Sequence, residues 1–99
     1  MTDKEQEALR LLVEVYKEIH ESHEIMVNVS IIGITKGSII PAPLQDTMGR
    51  LERAKDLSGR LIFVILRLDD SFMESVYEAL ESDLDIDETV QKLISISKK

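Results

Sequence analysis

Two histidines and a short basic cluster are the residues whose types and spacing come nearest to doing chemistry. His20 and His23 stand in His20-Glu21-Ser22-His23. A metalloprotease helix needs histidines at i, i+4 with glutamate after the first. Here the spacing is i, i+3, which still lets two imidazoles touch one metal or ligand, with Glu24 or a neighbour adding an oxygen. No third ligand is visible, and a structural zinc site needs four. The plainer reading puts both near a helix end, with His20 lying over the core and His23 beside the last carbonyls, where positive charge is favoured. His20 and His23 are carried forward as weak metal or ligand contacts. No metal and no cofactor is assigned.

Arg50, Arg53, Lys55 and Arg60 form the one basic cluster. Arg50 and Arg53 are three apart and share a helix face. Together with Arg60 they are the candidate contacts for an anion or for a partner's acidic patch. The plain alternative is pairing with the chain's own carboxylates, at about 0–1 kcal/mol per surface pair. No aromatic residues interleave with them, so a nucleic-acid surface is not expected.

Three other patterns fall short of their chemistry. Asp83-Leu84-Asp85-Ile86-Asp87 begins like a calcium loop, but Glu88 stands where an EF-hand needs glycine and Ile94 where it needs glutamate. Ile34-Thr35-Lys36-Gly37-Ser38 has the letters of a phosphate loop without its Gly-x4-Gly-Lys frame, and reads as a turn. There is no cysteine and no Gly-x-Ser-x-Gly elbow, and both histidines lie on one short stretch. No catalytic residue is assigned; carboxylates abound but nothing singles out a pair, so the reading leans away from an enzyme and leaves that question open.

The elements that would position these residues follow from periodicity. Residues 4–23 carry Leu9, Leu12, Val13, Tyr16, Ile19 and His20 at helical spacing, with Asp3, Glu5 and Glu7 at the favourable end of the dipole. Residues 25–34 are rich in β-branched side chains, with Val27, Val29 and Ile31 alternating with Asn28 and Ser30. Residues 35–38 offer a turn in which Gly37 takes positive φ, and 38–41 return as a short strand before Pro41 and Pro43. This predicts a β-hairpin. The competing reading extends the first helix through residue 34.

Residues 43–58 predict a second helix with Pro43 in its first turn and Gly59 as its C-terminal cap. Gly49 within it weakens the helix by about 1 kcal/mol relative to Ala and marks a close packing point. The unbroken apolar run of 60–68 predicts a central strand covered on both faces. Ser71-Phe72-Met73-Glu74 has capping-box spacing and predicts a third helix to about residue 82. In the tail, Asp85 can cap a fourth helix carrying Val90, Leu93 and Ile94 inward. The other reading makes residues 93–96 a strand, and the helix is slightly preferred.

Length and composition bound the whole. Ninety-nine residues, 43% hydrophobic and 31% charged, make a single globular domain spanning 1–99. With no Trp and four aromatics, the core must be aliphatic. The lack of cysteine, of an apolar leader and of a membrane-length apolar run points to a cytoplasmic protein without membrane contact.

The net charge of −7 is uneven. Residues 1–35 hold 3 basic and 7 acidic side chains (−4), residues 36–68 hold 6 and 3 (+3), and residues 69–99 hold 3 and 9 (−6). A basic middle between acidic ends suits internal or intersubunit pairing.

The expected fold is therefore α+β or α/β, a small two-layer domain of N-terminal helix, β-hairpin, helix, central strand and C-terminal helices. The alternative is an all-α bundle with long first and second helices. The expected function is a non-catalytic interaction or regulatory module, acting as a homo-oligomer or with a protein partner. Exposed sheet edges and apolar surface in want of cover motivate it. The runner-up is a small enzyme or ligand-binding protein whose site forms between subunits from His20, His23, Arg50 and Arg53.

Overall fold

The first helix does not stop near residue 23. In this computed structural model, which describes residues 1–35, 37 and 42–98, it runs unbroken from Asp3 to Thr35 as α1. Its start is a reciprocal cap: the Glu5 amide donates to Thr2 Oγ1 at 3.1 Å, and the Thr2 amide donates to Glu5 Oε1 at 3.4 Å. α2 spans Ala42–Leu66 and folds back along α1. A 3₁₀ turn at Asp70–Phe72 leads into α3 (Met73–Leu80), and α4 (Ile86–Ser97) follows.

No strand occurs among the described residues, so the α+β expectation is overturned. The architecture is all-helical, with long first and second helices. The stretch expected as the first strand of a hairpin, 25–34, is the second half of α1. Each β-branched residue there costs only a few tenths of a kcal/mol in a helix, and a helix already under way adds each residue without a new nucleus. The alternation of Val27, Val29 and Ile31 coexists with a helical series, Ile25, Val29 and Ile32, and the helical one prevails. Gly37 does take positive φ, at 79°. Lys36 and the expected return strand 38–41 lie outside the described residues.

The expected central strand, 60–68, is also helical as far as Leu66. Gly59 does not cap α2. The cap comes at Arg67, which adopts φ 56° while its amide donates to Val64 O and the Leu68 amide donates to Phe63 O. This is the paired hydrogen-bond pattern that closes helices on a left-handed residue.

Ser71 is not the helix cap either. Asp69 has the extended conformation of an N-cap and accepts both from the Ser71 amide, at 2.9 Å, and from the Ser71 hydroxyl. Asp69 initiates the 3₁₀ turn, and Phe72 precedes α3 without any side-chain cap. In the tail, Asp85 accepts from the Glu88 amide at 2.8 Å and starts α4, so residues 93–96 are helix and not strand.

The core occupies one end of an elongated molecule of 51 × 23 × 21 Å. Leu9, Val13 and Tyr16 of α1 meet Ile62 and Leu66 of α2, Val76, Ala79 and Leu80 of α3, and Val90 and Leu93 of α4. Each large aliphatic buried there stabilises by about 1.5–3 kcal/mol. α3 and α4 are short and pack against this end alone. At about 1.5 Å per residue, α1 is roughly 50 Å long. Its distal half therefore extends beyond the core with α2 as its companion, and Ser30 Oγ donates to Met48 Sδ at 3.2 Å across that pair.

Candidate functional site

Where the core meets the protruding hairpin, three side chains from α1 and α2 converge on one carboxylate at the end of α3. Tyr16 and His20 lie one turn apart on α1 and stack with ring centroids 6.2 Å apart. Lys55 comes from α2, and Glu81 follows the last residue of α3. Tyr16 is fully buried, and its hydroxyl donates to Glu81 Oε1 at 3.0 Å. The same oxygen lies 3.7 Å from Lys55 Nζ and 3.9 Å from His20 Nδ1. Lys55 Nζ is 3.3 Å from His20 Nδ1, within hydrogen-bonding distance.

Burial, and then the adjacent Glu81 carboxylate, push the Tyr16 phenol well above its ordinary pKa. Burial, with Asp56 next, raises that of Tyr77 as well. Both phenols are hydrogen-bond donors throughout the neutral range. Beside this group Lys17 Nζ donates to Leu80 O at 3.2 Å and Ser82 O at 3.1 Å, capping the carbonyl end of α3 with a cation. Burial lowers the Lys17 pKa.

An open cleft of about 460 Å³ adjoins the cluster, lined by Tyr16, Gly49, Glu52, Arg53, Lys55, Asp56, Tyr77 and Glu81. The charges in it are mixed. Lys55, His20 and Glu81 satisfy one another, which ties α1, α2 and α3 together at the waist of the molecule. The arrangement supplies positioning and electrostatic anchoring.

The residues singled out in sequence are dispersed. Arg50 pairs with Asp46 at 3.1 Å and Arg60 with Asp56 at 3.2 Å, both one turn back on α2. Arg53 makes no ion pair among the described residues and lies in the cleft wall. His20 joins the waist cluster. His23, half-buried one turn further on, has no hydrogen-bond partner among the described residues.

No three His, Asp or Glu side chains converge as a ligand set among the described residues. In the acidic loop Asp85 is a helix cap, and Asp87 accepts from Arg10 Nε at 2.9 Å, linking α4 to α1. The sequence reading missed Tyr16, Lys55 and Glu81 as a group. The i, i+4 spacing of Tyr16 and His20 placed both on the inward face, but nothing local pointed to Lys55 or Glu81.

A second feature is apolar. Leu11, Val15, Ile25, Val29 and Ile32 recur along one side of α1, and each is about half exposed. On α2, Leu57, Leu61 and Val64 repeat the pattern, with Val64 70% exposed. At about 100° per residue, both stripes fall on the sides of their helices turned away from α3 and α4. On α1 that is opposite Val13 and His20, and on α2 opposite Gly59 and Phe63, which face Tyr77. The two stripes therefore belong to one face of the hairpin. Leu12, Ile65 and Leu68 are partly buried and pack against the core instead.

Comparison with protein families, curated proteins and solved structures finds no match to this chain. Its site has to be read from its own geometry. Among the described residues no helix is long and apolar enough to cross a membrane.

Proposed function

We propose that this protein is a non-catalytic interaction or regulatory module that works as an oligomer or as a subunit of a larger complex. The observation that carries the reading is the uncovered apolar face of the α1–α2 hairpin. Eight aliphatic side chains on it are about half exposed or more. A monomer rarely leaves a contiguous apolar patch of more than a few hundred Å² open to water, and larger ones mark interaction sites. None of the eight belongs to the buried core or to the side chains packed against it. The waist cluster fits this reading as the brace that holds the hairpin rigid on its base.

The runner-up required His20, His23, Arg50 and Arg53 to act together. His20 is engaged by Lys55 and Arg50 by Asp46, which favours the interaction reading.

Site-specific photo-cross-linking in the source cells tests the proposal. A photoreactive residue in place of Val29 or Leu61 is expected to give discrete adducts. The same residue at Ser75, exposed on α3 away from the face, is expected to give none. Absence of adducts from every stripe position would remove the reading.

A further inference from the structure

We infer that the cleft at the waist of the molecule is a binding site for a small zwitterion, an apolar amino acid whose carboxylate lies on Arg53 and whose ammonium lies on Glu52. The inference goes beyond the interaction reading and uses none of the residues of the apolar face.

The cleft is walled in part by a glycine that the fold does not require. α2 contains Gly49 and Gly59. Gly59 is in contact with the Tyr77 ring, whereas Gly49 has nothing within 4 Å of its virtual Cβ and no positive φ. Gly49 is therefore not the close packing point expected from the sequence. A glycine inside a helix still costs stability relative to alanine. A local rule broken without a structural return is what a functional position shows, and Gly49 lines the cleft.

The arginines of α2 point to the same place. Arg50 pairs with Asp46 and Arg60 with Asp56, each reaching back one turn to a carboxylate. Helical side chains lean toward the N-terminus of their helix, so Arg53 leans toward the residue one turn before it, which is Gly49. Where the other two arginines find an acid, Arg53 finds open space. It makes no ion pair among the described residues, and it lines the cleft beside Gly49.

Charge balance then selects the ligand. Glu52, Asp56 and Glu81 are the carboxylates of the lining. Asp56 is held by Arg60, and Glu81 by Tyr16 and Lys55. Glu52 is exposed and makes no ion pair among the described residues. With Lys55 engaged by Glu81, the described lining keeps one uncompensated cation, Arg53, and one uncompensated anion, Glu52. A phosphate would answer Arg53 but bring further negative charge among three carboxylates. A plain amine would answer Glu52 and leave Arg53 unmatched. A molecule with one carboxylate and one ammonium answers both, and a guanidinium takes a carboxylate through two parallel N–H bonds.

The rest of the cleft suits an apolar side chain. The rings of Tyr16 and Tyr77, with centroids 6.1 Å apart, form the apolar part of the lining. The space that a side chain at position 49 would occupy is left free. The volume of about 460 Å³ falls within the range of small-molecule sites. Its walls come from α1, α2, α3 and the residue that ends α3, so an occupant bridges the hairpin to its base.

Titration of L-phenylalanine and L-leucine into the 15N-labelled full chain, followed by amide NMR spectra, is the test. Each amino acid is expected to shift the resonances of residues 49–56 and 77–81 saturably at millimolar concentration. Phenylacetate lacks the ammonium and phenethylamine lacks the carboxylate. Each is expected to bind about tenfold or more weakly than L-phenylalanine, having lost one charge-assisted contact. Arg53→Gln and Glu52→Gln are each expected to weaken L-phenylalanine by a similar factor. Both positions are exposed, so the helical circular dichroism spectrum is expected to stay native. Gly49→Leu is expected to abolish binding while the melting temperature holds or rises, since leucine favours helix.

No saturable shift with either amino acid overturns the inference. So do shifts confined to residues outside the cleft, or affinity unchanged in Arg53→Gln or Glu52→Gln. Phenylacetate binding as tightly as L-phenylalanine would make this a plain carboxylate site, and phenethylamine doing so a plain amine site. Either result excludes the zwitterion. None of these outcomes alters cross-linking from the apolar face, so the interaction reading stands or falls separately.

Discussion

Gly59 and Tyr77 touch so closely that no larger residue fits between them: a Cβ built on Gly59 would lie 2.6 Å from the Tyr77 hydroxyl oxygen and about 3 Å from its ring. The glycine thus serves as a seat for an aromatic ring on the flank of α2. That ring also packs against Phe63 and Tyr16, with centroids 6.0 and 6.1 Å away, so it cannot swing aside freely. Gly59→Ala is expected to destabilise by about 1–2 kcal/mol, as overpacking outweighs the improved helix propensity. Gly49 has nothing within 4 Å of its virtual Cβ, and Gly49→Ala is expected to stabilise by up to about 1 kcal/mol. Urea titration of the two variants gives opposite signs if the contact is as described.

Arg67 holds a left-handed conformation that costs a non-glycine residue roughly 1 kcal/mol. Its amide bond to Val64 belongs to the backbone and survives substitution. Arg67→Gly is expected to raise stability by about 0.5–1 kcal/mol. A loss of stability on thermal melting would instead assign the Arg67 side chain a structural contact.

The positions of these two residues explain what the sequence concealed. Gly59 followed by an apolar run reads locally as a helix stop and a strand. The reason for the glycine lies eighteen residues away on α3, and the stop is made by an arginine with no sequence signature for it. The run 61–66 is apolar because one side of α2 is buried through Ile62 and Leu66 while Leu61 and Val64 face outward on the uncovered side. Continuous apolarity came from two separate helix faces and not from a strand covered twice.

Likewise 25–34 carries strand-forming residues in a helix, because the exposed stripe of α1 continues through them. The cap at Thr2 and Glu5 has Thr-x-x-Glu spacing, which the sequence reading passed over in favour of the dipole charges. Local signals did place α3, α4, the Asp85 cap and the inward residues of the first five turns of α1. The waist cluster was not legible, since Lys55 and Glu81 join His20 only through tertiary packing.

Helix caps separate two neighbouring residues that sequence spacing alone confuses. Ser71→Ala removes a hydroxyl that donates to Asp69, while Asp69→Ala removes the acceptor of the Ser71 amide as well. Asp69→Ala is expected to lower the melting temperature more than Ser71→Ala. Asp85→Ala is expected to cost about 1 kcal/mol and Asp85→Asn a fraction of that, because the amide oxygen still accepts from Glu88. Equal melting of Ser71→Ala and Asp69→Ala would reinstate Ser71 as the cap.

Two of the capping carboxylates make the acid limb of stability predictable. The Thr2 backbone and side-chain hydrogen bonds lower the Glu5 pKa, and the Ser71 hydroxyl and amide lower that of Asp69. A carboxylate with a depressed folded pKa contributes stability that is fully present above its unfolded value, about 4, and lost as pH falls through its folded value. The native chain is therefore expected to lose melting temperature more steeply below about pH 4 than the Glu5→Gln/Asp69→Asn variant. The two curves should converge once both carboxyls are protonated. Parallel curves across the range would show that neither cap is linked to protonation.

The waist cluster predicts an asymmetry between its two ends. Tyr16→Phe removes one donor from Glu81, which keeps Lys55 nearby and is partly open to water, so a cost of about 0.5–1.5 kcal/mol is expected. Glu81→Ala does more damage. It leaves the hydroxyl of a fully buried tyrosine without its acceptor, and it removes the anion that Lys55 and His20 share. An unsatisfied buried donor costs about 1–3 kcal/mol. Once Glu81 is gone, replacing Tyr16 by Phe no longer breaks a hydrogen bond and relieves a stranded one. Tyr16→Phe should therefore be close to neutral, or stabilising, in the Glu81→Ala background. Denaturant unfolding of the native chain, the two single variants and the double variant measures the difference. Strict additivity would mean that the Tyr16–Glu81 bond carries no coupling energy.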